Sequence, residues 1–341
     1  MNIAYIVSPN YDYLASSIIE GLTELGHIVY TTERSNYGHY LPRASFCREA
    51  MRCEILLVGS GKFTDYSYLK TIQHPKVIYI DGSDFPNLER NLPCPVNIIF
   101  KRELLKSDIK ALSIPLFPLP FAAEKRYFAN IEHRRTIPVS FVCAPSNYMR
   151  RSVKQVIAAN FKNAFVESTG ERAYNGTSGV AVNTPKYSKV LSESIVSVNV
   201  PGKGWDCARY WEIIAHKACL VTQRMDIQIP NSFIEDQHYL AFSETEELIE
   251  KVSKLLHNTA LASQLSNEAF EHLCRYHTSK ERAKYLLNTI DKHYVLGKII
   301  ELEDFIPIKS KYYYAKNWNI FRSWKSLQPV LPKILNFKSA E

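Results

Sequence analysis

The sequence predicts an α/β protein made of two successive parallel sheets, each covered by helices. Three observations lead there. Short apolar strands and helical patterns alternate over roughly the first hundred residues, a proline-rich stretch near residue 115 interrupts them, and the same alternation then begins again. With 341 residues, 46% of them hydrophobic and 22% charged, the chain has enough apolar material for two domains, each with its own core.

In the first half, residues 2–7 read as an apolar strand. Over 12–25, Leu14, Ile18, Leu22 and Leu25 recur at the spacing of one helix face, and Gly26 ends that helix. Strands are expected at 27–31, at 54–58, running into Gly59-Ser60-Gly61, and at 76–80, running into Asp81-Gly82-Ser83-Asp84. Apolar strands separated in this way imply parallel pairing with both faces buried. The run Ile114-Pro115-Leu116-Phe117-Pro118-Leu119-Pro120 cannot be a helix interior, because each proline lacks an N–H and disfavours helical geometry in the residue before it. It marks the approach to a domain boundary, with a charged run from Glu124 to Arg135 beyond it.

The second half is expected to carry strands at 139–142, 164–167, 195–200 and 219–222, with helices at 151–160, 187–191 and 206–216 among them. Helical patterns follow at 245–257 and 259–277. Thr278-Ser279-Lys280-Glu281 has capping-box spacing and opens a last helix reaching about Lys292. The division expected is 1–125 for the first domain, 126–136 for a linker, 137–292 for the second domain and 293–341 for a tail. Two such halves leave a cleft between them, and ligands of open α/β sheets lie at the carboxyl ends of the strands.

Composition excludes several classes. No stretch has the roughly 18 uncharged apolar residues that span a bilayer, and the opening residues lack a secretion signal, so a cytoplasmic protein is expected. Seven scattered cysteines with no Cys-x-x-Cys spacing indicate neither a disulfide framework nor a zinc site, and the ten histidines show no ligand pairing, so no metal is expected. The net charge of +8 suits an anionic partner. From Phe305 to Ala340 there is no acidic residue, while seven Lys or Arg alternate with Tyr, Trp and Phe. This tail admits two readings: peripheral contact with an anionic membrane or nucleic acid, or aromatics packed on the protein with solvated lysines.

Chemistry concentrates between Val198 and Thr222, which read as strand, glycine-bearing loop, helix and strand. Gly202 and Gly204, with Trp205 and Asp206, form a loop that lets the backbone approach a phosphate, and the following helix offers its unpaired N–H groups and positive dipole end. Arg209 in the first turn adds a planar cation for the same anion. Glu212, three residues on, shares roughly the same helix face, where a carboxylate can accept from two ribose hydroxyls. On spacing alone, an Arg and a Glu three apart also fit a surface ion pair. Arg150, Arg151 and Lys154, after the strand at 139–142, are further candidates for an anion, or a solvated basic helix start; Lys186 and Lys203 are weaker ones. Asp81 and Asp84 past one strand end, and Asp12 past another, are placed to act as general base; Asp81-Gly82 also fits a simple turn.

The segment from Val198 to Thr222 resembles the donor-binding signature of the GT-B glycosyltransferases of the group 1 type, in particular the group containing the CgeB-like spore-maturation proteins. An Arg there precedes the Glu of a helix that ends in small residues before an apolar strand. The likeness extends to Tyr187 and the residues up to Asn199, to the stretch from Asn231 to Leu248, and to Arg275-Tyr276-His277-Thr278 with Arg282-Ala283. The first half matches only in outline, through Asp81-Gly82-Ser83-Asp84 and Phe100-Lys101-Arg102-Glu103. The resemblance implies two Rossmann-like domains facing each other across a cleft. It implies a glycosyltransferase that needs no metal or cofactor, with a nucleotide-sugar donor bound around Arg209, Glu212 and Tyr187, and a glycan, lipid or other surface-polymer acceptor. Many GT-B enzymes carry two glutamates eight apart here, whereas this chain has Gly204 at the earlier position. The alternatives are a catalytically silent nucleotide-sugar sensor, a glycosyltransferase acting on modified DNA bases, and a nucleotide-sugar epimerase.

Overall fold

Two all-parallel sheets organise the chain. In this computed structural model, residues 1–61, 63–86, 92–106, 115–128, 134–168 and 185–299 are described. The first sheet contains β1 (Asn2–Ile6), β2 (Ile28–Thr31), β3 (His39–Tyr40), β4 (Ile55–Gly59), β5 (Val77–Asp81), β6 (Ile98–Lys101) and β7 (Leu116–Pro118), in the order β3-β2-β1-β4-β5-β6-β7. Its central strands are mostly apolar and β4 and β5 are buried at every position, because helices and loops cover both faces. The proline stretch, excluded from a helix interior, contains a short edge strand: Pro118 closes β7 at the border of the sheet, where a missing N–H costs no ladder bond.

The first sheet is flanked by α1 (Tyr13–Glu24) and α2 (Arg43–Ala50). Asp12 caps α1 by accepting from the Leu14 N–H, and Gly26 ends it at φ +81°. The short α2 has no strong apolar period and was not expected from the sequence.

The second sheet contains β8 (Ile137–Cys143), β9 (Phe165–Ser168), β10 (Ser194–Asn199), β11 (Cys219–Gln223) and β12 (Leu240–Phe242), in the order β12-β11-β10-β8-β9. Its helices are α3 (Tyr148–Asn160), α4 (Pro185–Glu193), α5 (Ala208–Ala215), α6 (Thr245–His257) and α7 (Thr259–Tyr276), followed by α8 (Ser279–His293). The capping box opens α8 as expected, with Thr278 accepting from the Glu281 N–H. No described helix is long and apolar enough to cross a membrane. The aromatic and basic tail from Phe305 lies outside the described residues.

The chain passes between the halves twice, and the two passages are bonded to each other. The Ala123 N–H donates to the His277 carbonyl at 2.8 Å, and the Ser279 N–H donates to the Ala123 carbonyl at 3.1 Å. Beyond that point α8 packs on α1, beside the first sheet. The contact is close because Gly21 of α1 faces the start of α8: a Cβ there would lie 1.9 Å from the Ser279 carbonyl oxygen. Gly21→Ala must therefore push two backbones apart, and about 1–3 kcal/mol of stability or more should be lost. Chemical denaturation should show a lower midpoint with an unchanged slope.

Candidate functional site

The loop and helix after β10 form the centre of the site. β10 ends at Asn199, whose Nδ2 donates to Thr222 Oγ1 at the end of β11, and whose Oδ1 accepts from Cys207 Sγ at 3.0 Å. Cys207 is the N-cap of α5 and makes no side-chain cap bond. Arg209 stands in the first turn and Glu212 one turn further, as the spacing implies. Glu212 is 1% exposed. Its Oε2 accepts from the Tyr187 hydroxyl at 2.7 Å, while its Oε1, together with Arg209 Nε and Nη1, is buried without a hydrogen-bond partner among the described residues. Burial raises the Glu212 pKa, with the Tyr187 hydrogen bond and the Arg209 charge opposing the shift. Each unsatisfied buried polar group costs about 1–3 kcal/mol, and more when charged, so this helix face holds acceptor and donor positions that a ligand can complete.

His216, the C-cap of α5, supports that face from behind. Its Nδ1 lies 2.7 Å from the Glu212 carbonyl and its Nε2 2.6 Å from Ser188 Oγ, and burial lowers its pKa. The bond to Ser188 ties α5 to the helix that carries Tyr187.

The glycines of the loop have a different setting from the phosphate approach expected of them. Gly202 faces Arg150: a Cβ would lie 3.0 Å from Arg150 Nη2. Arg150 is 7% exposed, and its Nε donates to the carbonyls of Val200 and Pro201, both at 3.1 Å, while Nη1 donates to Ala144 at 3.2 Å. It joins the loops that follow β8 and β10, assisted by Asn147 Nδ2, which donates to Pro201 at 3.0 Å. Arg151 donates to the Pro145 carbonyl at 3.1 Å and Lys154 to Ser168 Oγ at 2.5 Å. Lys186 pairs with Glu167 at 3.3 Å, and Lys203 is exposed.

Gly204 is required by a carboxylate from the other half. A Cβ at this position would lie 2.3 Å from Glu103 Oε1. Glu103 follows β6, is fully buried, and accepts from the Trp205 N–H at 2.9 Å and the Asp206 N–H at 3.0 Å. Asp206, a donor-site candidate in the sequence, faces the passage between the halves instead: Oδ2 accepts from the Phe121 N–H at 2.6 Å and Oδ1 from Trp211 Nε1 at 2.9 Å. Trp205 Nε1 is buried without a partner among the described residues. Around this junction Arg102 stacks on the Phe121 ring at 4.6 Å, and Arg282 lies over Trp211 at 5.6 Å. Sequence reasoning gave Glu103 no chemical role, although Phe100-Lys101-Arg102-Glu103 carried part of the outline likeness of the first half.

The three aspartates at the carboxyl ends of the first sheet have distinct environments. Asp81 and Lys101 form a 2.7 Å ion pair with both side chains at 0% exposure, and Asp81 Oδ1 accepts from the Ser83 N–H at 3.0 Å. With both oxygens engaged and no exposure, Asp81 is a structural partner rather than a base presented to the cleft. Asp84 is 39% exposed and pairs with Arg102. Asp12 is half-buried; Oδ1 caps α1 at 2.8 Å from the Leu14 N–H, and Oδ2 lies beside Gly82, 3.5 Å from where a Cβ would be. Burial raises its pKa, opposed by the capping bonds and by Arg102 and reinforced by Asp84. Among the described residues, no group of three or more His, Cys, Asp or Glu is arranged to hold a metal ion.

Two parallel-sheet α/β halves with these elements make the GT-B fold. The chain is similar in structure to a glycosyltransferase from Rickettsia africae (TM-score 0.55, 10% identity, covering 85% of this chain and 98% of that one). It is also similar to the sucrose-phosphate synthase of Thermosynechococcus elongatus (TM-score 0.55, 11% identity, 85% and 98%). A third similar structure is Anabaena HepE in complex with UDP-glucose (TM-score 0.56, 7% identity, 86% and 100%). In sequence, residues 150–288 match the family described as glycosyl transferase-like, a span that includes Arg209 and Glu212. No curated protein matches the chain.

Burial raises the pKa of Glu103 from 4.5 to about 7, with Arg102 opposing the shift. Across that window the folded state keeps a proton that the unfolded chain has released. The stability from this group is therefore full below 4.5, falls as pH rises towards 7 and is flat beyond. Melting temperatures measured across this range should show that fall in the wild type. Glu103→Gln should flatten it and, at pH 8, lower stability by about 1–3 kcal/mol, because an amide offers only one acceptor to two N–H donors.

Proposed function

We propose that the protein transfers a sugar from a nucleoside-diphosphate donor to an acceptor hydroxyl. The observation that carries this reading is the α5 face, where a buried carboxylate oxygen and two buried guanidinium nitrogens of one short helix lack partners among the described residues. A ribose supplies two hydroxyl donors for Glu212 Oε1, and a diphosphate supplies anionic acceptors for Arg209. The free N–H groups at the start of α5 add positive potential at the same end. HepE, with the same fold, has been solved with UDP-glucose, which supports a UDP-sugar as the donor to test first.

In the reaction, the acceptor oxygen bonds to the anomeric carbon as the bond from that carbon to the diphosphate oxygen breaks. The electron pair of the broken bond leaves with the diphosphate. Arg209 and the α5 N-terminus stabilise the negative charge that develops there, with no metal required. The acceptor proton goes to Asp12, whose raised pKa and half-buried position suit a general base at the first sheet's side of the cleft. Arg150, Gly202, Gly204, Trp205 and Asp206 shape the donor loop through the contacts described above, while Arg151 and Lys154, bonded to the Pro145 carbonyl and Ser168 Oγ, do not touch it. Residues 1–125 form the acceptor side and the second-sheet part of 137–292 the donor side, with 126–136 between them and α8 returning to pack on α1.

Thermal shift with UDP and UDP-sugars tests donor binding. At a hundred times Kd the ligand should add about 2.7 kcal/mol to wild-type stability, and Glu212→Ala should remove most of that gain. Without ligand, Glu212→Ala should itself cost about 1–3 kcal/mol, since it also removes the buried acceptor of the Tyr187 hydroxyl, so the ligand-induced gain is measured against each variant's own unliganded stability. An undiminished UDP shift in this variant refutes the site. Asp12→Asn should keep the UDP shift and reduce transfer about 10²–10⁴-fold, followed as UDP release in the presence of acceptor.

A further inference from the structure

The charged run that ends at Arg135 enters the second half where two helices finish. Arg135 precedes β8, and its guanidinium donates to five backbone carbonyls. Nη1 donates to Ser192 at 2.6 Å, Ser194 at 2.9 Å and Leu191 at 3.2 Å, where α4 closes. Nη2 donates to Lys217 at 2.5 Å and His216 at 3.1 Å, where α5 closes. The last carbonyls of a helix have no partner within it and carry the negative end of its dipole. Two such ends repel when they converge, and a planar cation with two outward nitrogens satisfies both. Burial lowers the Arg135 pKa with no carboxylate opposing the shift, so carbonyl dipoles answer its charge.

The helices that meet at Arg135 are the two that form the donor face. Tyr187 lies one turn before Leu191 on α4, and Glu212 lies one turn before His216 at the end of α5. Arg135 therefore bridges the helices about one turn beyond the Tyr187–Glu212 hydrogen bond. The Glu212 carbonyl accepts from the His216 N–H at 3.1 Å, and Ser188, beside Tyr187, lies 2.6 Å from His216 Nε2. Lys217 ends α5 at φ +54°, a left-handed conformation disfavoured for lysine, and Arg135 fixes its carbonyl there. A shift at Arg135 thus reaches Tyr187 and Glu212 through one turn of helix on each side.

Glu212 depends on this placement. Its Oε2 is bonded to Tyr187 while Oε1 has no partner among the described residues, so the position of α4 relative to α5 sets where the open oxygen points. Arg135 itself stands at the opposite end of α5 from Arg209, and eight helical residues separate the two ends by about 12 Å.

We propose that Arg135 is a positioning residue for the donor: by bonding the ends of α4 and α5 it sets the distance between Tyr187 and Glu212, and so the affinity for the nucleotide, without touching it. This rests on the donor role of Glu212. Calorimetric titration with UDP, on each variant well below its own melting temperature, separates positioning from stability. Arg135→Ala should bind UDP about tenfold more weakly. Arg135→Lys keeps the charge on one nitrogen that cannot span both helix ends; it should lose about threefold or more, and it carries the test if Arg135→Ala does not fold. A double-mutant cycle checks the route: Tyr187→Phe should weaken UDP binding several-fold in the wild type but by less than about twofold in Arg135→Lys. Additive losses in that cycle overturn the proposal. So does a wild-type Kd in the Arg135 variants, even where their melting temperatures fall, because that is the result of a purely structural role. A wild type that binds no UDP would strike the donor reading itself.

Discussion

Two carboxylates bonded to backbone N–H groups hold the halves of the molecule together, and the geometry of the loop before α5 depends on them. Glu103, from the first half, accepts from Trp205 and Asp206 in the second; Asp206, from the second, accepts from Phe121 in the passage between them. Both acids are buried, and burial raises the pKa of each. Charge-assisted bonds to backbone are stronger than neutral ones, and a buried carboxylate without such partners would carry a large desolvation cost. The junction is therefore specific: each acid needs the backbone it faces, and Gly204 is the residue that lets Glu103 reach it.

That arrangement places the starting point of α5 at the boundary between the two halves. The helix presents Arg209 and Glu212 with unsatisfied atoms, supported by Tyr187 and His216. Such a face lowers the stability of the empty protein and is common where a ligand completes the hydrogen bonding. Around it the basic residues mostly serve the scaffold. Arg150 shows this most clearly, since its guanidinium donates to carbonyls of two loops that the chain separates by some fifty residues.

The same distinction separates the aspartates at the first sheet. They have similar positions past strand ends, yet Lys101 neutralises Asp81 in the interior, Arg102 pairs Asp84 at the surface, and Asp12 remains half-buried at a helix start. In sequence Lys101 and Arg102 belong only to an outline likeness, with no role of their own. Each acquires its meaning from the pairing of β5 with β6, which sets Asp81 opposite Lys101.

Periodicity alone determined much of this protein. Leu14, Ile18 and Leu22 mark the buried face of α1, the apolar runs mark the central strands, and the Thr278 to Glu281 spacing marks the start of α8. Arg209 and Glu212 were legible because an offset of three residues puts them on one helix face, whatever surrounds them. Tertiary structure alone decided the work of the polar loop residues, because a glycine or an acid in a loop acquires its role from whatever approaches it through space. Gly204 meets Glu103 about a hundred residues away, Asp206 meets Phe121, and Gly21 meets the Ser279 backbone. No local pattern encodes such meetings. They depend on how two sheets and a returning helix pack, and packing is settled by the whole buried surface rather than by any one segment.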